Sequence, residues 1–228
     1  MKRLPRPARQ AIAVLRDTRG VAMVELAFIL PIILLLGTVG IEMANYAVTS
    51  MRISQAAMHI ADNGSRVGDN SDLSSQEIFE SDVNDLFAGV AIQAGEALEL
   101  YEHGRVIISS LEVNSEGGQW VRWQRCMGKK NVSSSYGDEN EGETGTDFEG
   151  MGKSGSELEA DAGEAVIFVE VQYDYQPLID NGFTEPFLPT APIAATAAFH
   201  VRATRDSNGL QQTSPAAPVA SCSQFTGG

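Results

Sequence analysis

From Val21 to Ile41 the chain is apolar apart from one charged residue, Glu25, and this stretch limits the fold more than any other. At about 1.5 Å rise per residue, roughly 21 helical residues extend about 31 Å, enough to cross the hydrocarbon core of a bilayer. A secretory signal has a shorter core and a small-residue cleavage site after it. No convincing A-x-A follows here, so the run reads as a retained anchor, a transmembrane helix over residues 21–42. Charge gives its direction. Residues 1–20 hold Lys2, Arg3, Arg6, Arg9, Arg16 and Arg19 against Asp17, a net of +5; with −14 overall, the rest of the chain carries −19. A basic N-terminus ahead of an acidic body predicts a cytoplasmic N-terminus and an exported C-terminal domain. So acidic a body also argues against a nucleic-acid partner, which would need clustered Lys and Arg.

Helix-forming residues continue past the apolar run as far as Asn63-Gly64, which reads as a stop. The expectation is one helix from about Asp17 to about Ala61. Pro31 is expected to kink it, because it offers no N–H to the carbonyl of Ala27. Met43, Ala47, Met51 and Met58 recur near helical spacing and predict the face that packs on the domain. Glu42, near the outer end of the span, is expected to be reached by water. After a polar turn, Ser74 and Glu77 resemble a capping box. Ile78, Phe79, Val83, Leu86, Phe87, Val90 and Ala94 then predict a second amphipathic helix to about Ala97.

The period then changes to two. "RVIISSLEV" and "QWVRWQRC", joined by residues 114–118, read as a β-hairpin; "AVIFVEVQYDY" and "TAAFHVRAT" add two strands. Four strands with polar outer faces predict an antiparallel sheet covered on one side by helices, an α+β domain spanning 43–205. The Gly-rich, acidic segment 129–163 is expected to be a long, partly mobile loop, and 206–228 a Ser/Pro/Gly tail. Cys126 and Cys222 both fall in the exported part, where one disulfide is the simplest outcome and two free thiols the alternative.

Chemistry-bearing patterns are weak. Gly150, Gly152 and Gly155 satisfy G-x-G-x-x-G, but no strand precedes them and no long helix follows, so nucleotide binding is not expected. Asp138, Glu139, Glu141, Glu143 and Asp147 offer oxygen ligands without EF-hand spacing and read as a solvated loop, with no metal predicted. His59, His103 and His200 are scattered, and no G-x-S-x-G elbow is present. Trp120 and Trp123 are expected on opposite faces of one strand. The Pro-rich segment 177–192 reads as a loop and a candidate contact surface. Nothing here forms an active site, so neither an enzyme nor a cofactor is expected, and an exported hydrolase would need a polar cluster that the sequence does not supply.

Glu25 is the strongest functional signal. A carboxylate inside a spanning helix costs about 2.5–3.5 kcal/mol on insertion scales, so it calls for a partner or a position near the headgroups. Cleavage after Gly20 would create such a partner, the free α-amine of Val21. A plain signal anchor, with Glu25 resting at the cytoplasmic headgroups, satisfies the physics equally well.

"RGVAMVELAFILPIILLLGTVGIE" resembles the type IV prepilin signal, G-x-x-x-x-E ahead of an apolar run, and as a whole is similar to the TadE-like pseudopilins of the tight-adherence (Tad/Flp) pilus system. Pro31 is part of that likeness. "VIISSLEV", "WVRWQRC" and "AVIFVEVQYDYQPL" share it less specifically. Major Flp pilins usually have Tyr after the glutamate and are far shorter; here Leu26 follows Glu25 and a domain follows the anchor, which points to a minor subunit. The resemblance implies a leader over residues 1–20 cut between Gly20 and Val21 by the prepilin peptidase, with Glu25 setting register. It also implies partners among other pseudopilins, pilins and the inner-membrane platform, and a periplasmic domain, with possible incorporation in the pilus. An unprocessed, membrane-anchored binding or adhesion module is the alternative.

Overall fold

The computed structural model describes residues 20–68, 76–179, 185–189, 191–201 and 205–227. The leader up to Arg19, and with it the expected helix start at Asp17, lies outside the described residues, as does Ser74 of the expected capping box. The chain divides into two compact units. One comprises the anchor segment up to Asn45 with the described parts of 177–188. The other comprises Tyr46–Gln176 and the chain beyond Pro189.

Helix α1 runs Val21–Arg66, with Pro31 inside it. In the first unit this helix is apolar on all sides apart from Glu25, with every residue from Val21 to Leu34 exposed. Such a surface suits lipid rather than water. The helix passes the expected stop at Gly64 for a packing reason. A Cβ there would stand 3.1 Å from Cγ2 of Ile167 and 3.5 Å from Cδ1 of Leu86, so the glycine admits close approach instead of ending the helix.

The second unit is an α+β domain. After α1 come β1 (Gln76–Phe79), α2 (Glu80–Ala94), a short α3 (Leu100–His103), β2 (Gly104–Val113), β3 (Gln119–Met127), β4 (Ala165–Tyr173), β5 (Ile193–His200) and β6 (Arg205–Gln211). The expected second helix therefore begins later, at Glu80, and Ile78 and Phe79 lie in a strand. Asp82 accepts a hydrogen bond from the N–H of Phe79 at 2.9 Å, filling the capping role assigned to Glu77. Four strands form an antiparallel sheet in the order β3-β2-β4-β5, as the alternation predicts; β1 and β6 form a separate parallel pair. The segment expected to be only a tail thus opens with a strand.

One face of the sheet carries Val106, Ile108, Trp123, Ile167, Val169 and Val171, packed on α1 and α2. The α1 face that turns inward is Ile53, Ala56, Ala57, Ile60 and Ala61. The methionine row is not that face: Met43, Met51 and Met58 are 43%, 60% and 55% exposed. Alanine lets the helix axis come close to the sheet and isoleucine fills the space beside it, so this face packs closely.

The other face is not left to solvent. Segment 129–163, expected to be partly mobile, folds over it and builds a second core from Leu111, Val121, Met151, Ala160, Val166 and Phe168. Asn114 anchors it by donating from Nδ2 to the carbonyls of Gly142 and Gly145, each at 2.8 Å. The free edge of β3 is bonded along its length. The N–H groups of Val121, Cys126 and Gly128 donate to the carbonyls of Glu141, Ala220 and Thr226 at 2.9, 2.8 and 2.8 Å.

Candidate functional site

The candidate site is the anchor, and its residues stand as follows. Gly20 immediately precedes α1, and a Cβ placed on it would meet nothing within 4 Å, so no steric contact among the described residues requires glycine there. Val21 opens the helix and Glu25 follows at i+4, on the same helix face, with Glu25 exposed among apolar neighbours. Around it Met23, Val24, Leu26, Phe28 and Ile29 are all at least half exposed. An amine on Val21 would therefore stand one helical turn from the Glu25 carboxylate.

Glu42 departs from expectation. It is fully buried, not open to water. Its carboxylate accepts hydrogen bonds from the backbone N–H groups of Leu178 at 2.9 Å and Ile179 at 3.2 Å. Two N–H donors are what a buried carboxylate needs. The partner segment lies some 136 positions away in sequence, and no local pattern announces it.

Cys126 and Cys222 form a disulfide with Cα atoms 4.7 Å apart. Beside it Arg105, also buried, donates to the carbonyls of Gly128 at 2.9 Å, Gln224 at 3.1 Å and Cys222 at 2.6 Å, with the ring of Phe225 4.2 Å away. Burial lowers the guanidinium pKa, and the three carbonyls hold it in place. On β4, Glu170 is buried under the folded loop and accepts from the Ser134 hydroxyl and the Ser135 N–H. Burial pushes its carboxyl above the ordinary 4.5; these two bonds oppose the shift and the nearby Asp138 charge adds to it.

The weaker motifs resolve into structure. Gly150 has φ +120°, and a Cβ on it would strike the Leu158 carbonyl at 2.3 Å. The glycine spacing makes a tight turn in which Met151 and Leu158 pair, not a phosphate cradle. Glu139 bonds Arg125 at 2.8 Å and Glu141 bonds the N–H of Asp138 at 3.0 Å. Among the described residues no three His, Cys, Asp or Glu side chains converge as a metal site. His59, His103 and His200 sit on α1, α3 and β5. Trp120 and Trp123 do not face apart: the ladder shifts register beyond Ser110, setting them opposite Glu112 and Ser110, two positions apart on β2 and so on one face.

An N-terminal helix of membrane-spanning length, with mean hydropathy 2.4 in its apolar window, suggests a single-pass membrane anchor, and it carries an α+β domain. That is the class the fold defines. Residues 20–62 match the family model described as TadE-like protein, which makes this segment similar to the TadE-like proteins of the Tad pilus system. The match opens at Gly20 and ends within α1, so the sheet lies outside it. Neither a curated protein nor a solved structure matches the chain.

Proposed function

We propose that this protein is a minor pseudopilin: a bitopic subunit of the cytoplasmic membrane, with its N-terminus inside and its domain in the periplasm, that works by assembly and without catalysis. The prepilin peptidase cuts between Gly20 and Val21. The processed subunit then joins other pseudopilins, pilins and the inner-membrane platform of the Tad/Flp pilus machine.

The observation that carries this reading is the order Gly20, Val21, Glu25 at the mouth of α1, within the segment similar to TadE-like proteins. The spacing of Gly20 and Glu25 at the start of an apolar run is the pattern that a prepilin peptidase would read. Ala47, Met51 and Met58 add an exposed row on α1, away from the sheet, suited to contact with another subunit.

Intact-mass measurement of the membrane protein, from cells with and without the prepilin peptidase, tests the proposal. The expected mature chain begins at Val21 only where the peptidase is present, and Gly20→Leu leaves the precursor uncut. A chain that still begins at Met1 in peptidase-competent cells would favour the unprocessed binding or adhesion module.

A further inference from the structure

Glu42 follows the apolar run directly, so in a spanning α1 it stands at the outer boundary of the hydrocarbon core. The carboxylate holds the backbone of Leu178 and Ile179 within hydrogen-bond distance. It therefore fixes Leu178 and Ile179 at the same depth. Leu178, which this places there, is apolar and 66% exposed; Phe187, in the same compact unit, is 55% exposed. On the helix itself Ile41 and Met43 are 58% and 43% exposed.

We infer that Leu178, clamped to α1 by Glu42, and Phe187 form a membrane-interface foot that sits in the outer-leaflet boundary between headgroups and acyl chains. Leucine and phenylalanine at a spanning helix's end suit that boundary, where an apolar side chain leaves water while its backbone keeps polar partners. The clamp also explains how a carboxylate is tolerated at the membrane edge: its charge is satisfied by two amides rather than presented to lipid. Residues 177–192 contain Asp180 and Glu185 but no Lys or Arg, so the attraction is apolar, not electrostatic. Zwitterionic lipid should serve as well as anionic lipid.

The inference rests on the anchor reading and is independent of pilus assembly. The test uses the full chain in phosphatidylcholine nanodiscs, with spin labels on Leu178→Cys, Phe187→Cys and, as a marker of the span, Leu36→Cys. Cys126 and Cys222 are bridged, so only the introduced thiol reacts. Labels at 178 and 187 should collide several-fold less with a water-soluble nickel chelate than free label does, with no dependence on salt. Glu42→Gln, which replaces one acceptor oxygen by an amide that faces an N–H, should expose both while position 36 stays protected. Full access of the chelate to 178 and 187, with 36 protected, would overturn the foot. Protection that arises only when pilus components are added would overturn it in favour of a protein contact. Protection retained in Glu42→Gln would overturn the clamp. Exposure of position 36 would overturn the anchor itself, and the foot with it.

Discussion

Arg125 of β3 grips Glu80, the first residue of α2, with Nε 3.0 Å from each carboxylate oxygen and Nη2 2.6 Å from Oε1. Both side chains are largely buried, at 12% and 4% exposure, so the pair ties the helix to the sheet where water does not screen it. Removing one partner from such a pair typically costs about 3–5 kcal/mol, because the other charge is stranded. Arg125→Ala should lose about that much in urea unfolding of the detergent-solubilised chain. Arg125→Leu with Glu80→Met should recover most of it, since replacing both charges by apolar groups of similar volume is often neutral.

Gly64 gives a prediction about packing. Alanine there gains about 1 kcal/mol of helix propensity but must displace Ile167, so the net change should be small. Leucine has no such balance, and overpacking of this kind costs about 1–3 kcal/mol. Gly64→Leu should lower the unfolding midpoint in proportion, while Gly64→Ala should leave it nearly unchanged.

Glu170 sets a pH dependence of unusual sign. Burial, the largest cause, raises its folded-state pKa above the unfolded value near 4.5. The folded chain therefore binds this proton more tightly than the unfolded chain does. Its contribution to stability is fully present below about pH 4.5 and is lost as pH rises through the folded-state value. Glu170→Gln should remove that slope, and urea midpoints for mutant and parent should converge in acid and separate toward neutral pH in favour of the mutant.

The disulfide closes a loop with a sequence separation of 96, worth on the order of 4–5 kcal/mol in the chain-entropy model. Reduction should lower stability without freeing the tail, because Arg105 and the β3 edge still hold it. Hydrogen exchange at the N–H groups of Cys126 and Gly128 should remain slow after reduction alone. Reduction combined with Arg105→Gln should make both exchange quickly.

Glu25 tests the register idea directly. If the chain is cut after Gly20, a Val21 amine on a neighbouring subunit would offset the burial of the carboxylate only when the helices align. Glu25→Gln should therefore insert and be cut nearly as well as the parent, yet recover fewer pseudopilin partners on co-purification and lower piliation. Normal recovery and normal piliation would mean that Glu25 merely rests at the headgroups. A substitution at exposed Ile92 serves as the control for this comparison.

The elements readable from sequence are those with a strong local period. The apolar run allowed one structure, and the alternation of β2 and β4 carried the four-strand sheet. Which side of α1 faced that sheet was not readable, because Ala56 and Ala57 serve a core shared with distant strands and Gly64 is placed for closeness to Ile167, about a hundred positions away. The register shift beyond Ser110 likewise has no local marker, so both tryptophans end on one face against the simple alternation. Segment 129–163 reads by composition as a long, partly mobile loop, yet Met151, Ala160 and the amide of Asn114 help to dock it. Glu42 was legible as a carboxylate, while its amide partners came from a distant loop. Gly20 and Glu25, by contrast, were visible from spacing alone.

The bonded edge of β3 limits how copies of this domain can associate. An open-ended ribbon of sheets requires each copy to offer two different edges, one to the molecule ahead and one to the molecule behind. Here the edge of β3 is capped by the chain's own loop and tail, so the four-stranded sheet has at most the edge at β5 to offer. An edge that can meet only its own kind yields a symmetric pair and stops. A longer array cannot then be built by pairing these four-stranded sheets edge to edge, and the loop and tail that cover β3 are what prevent it.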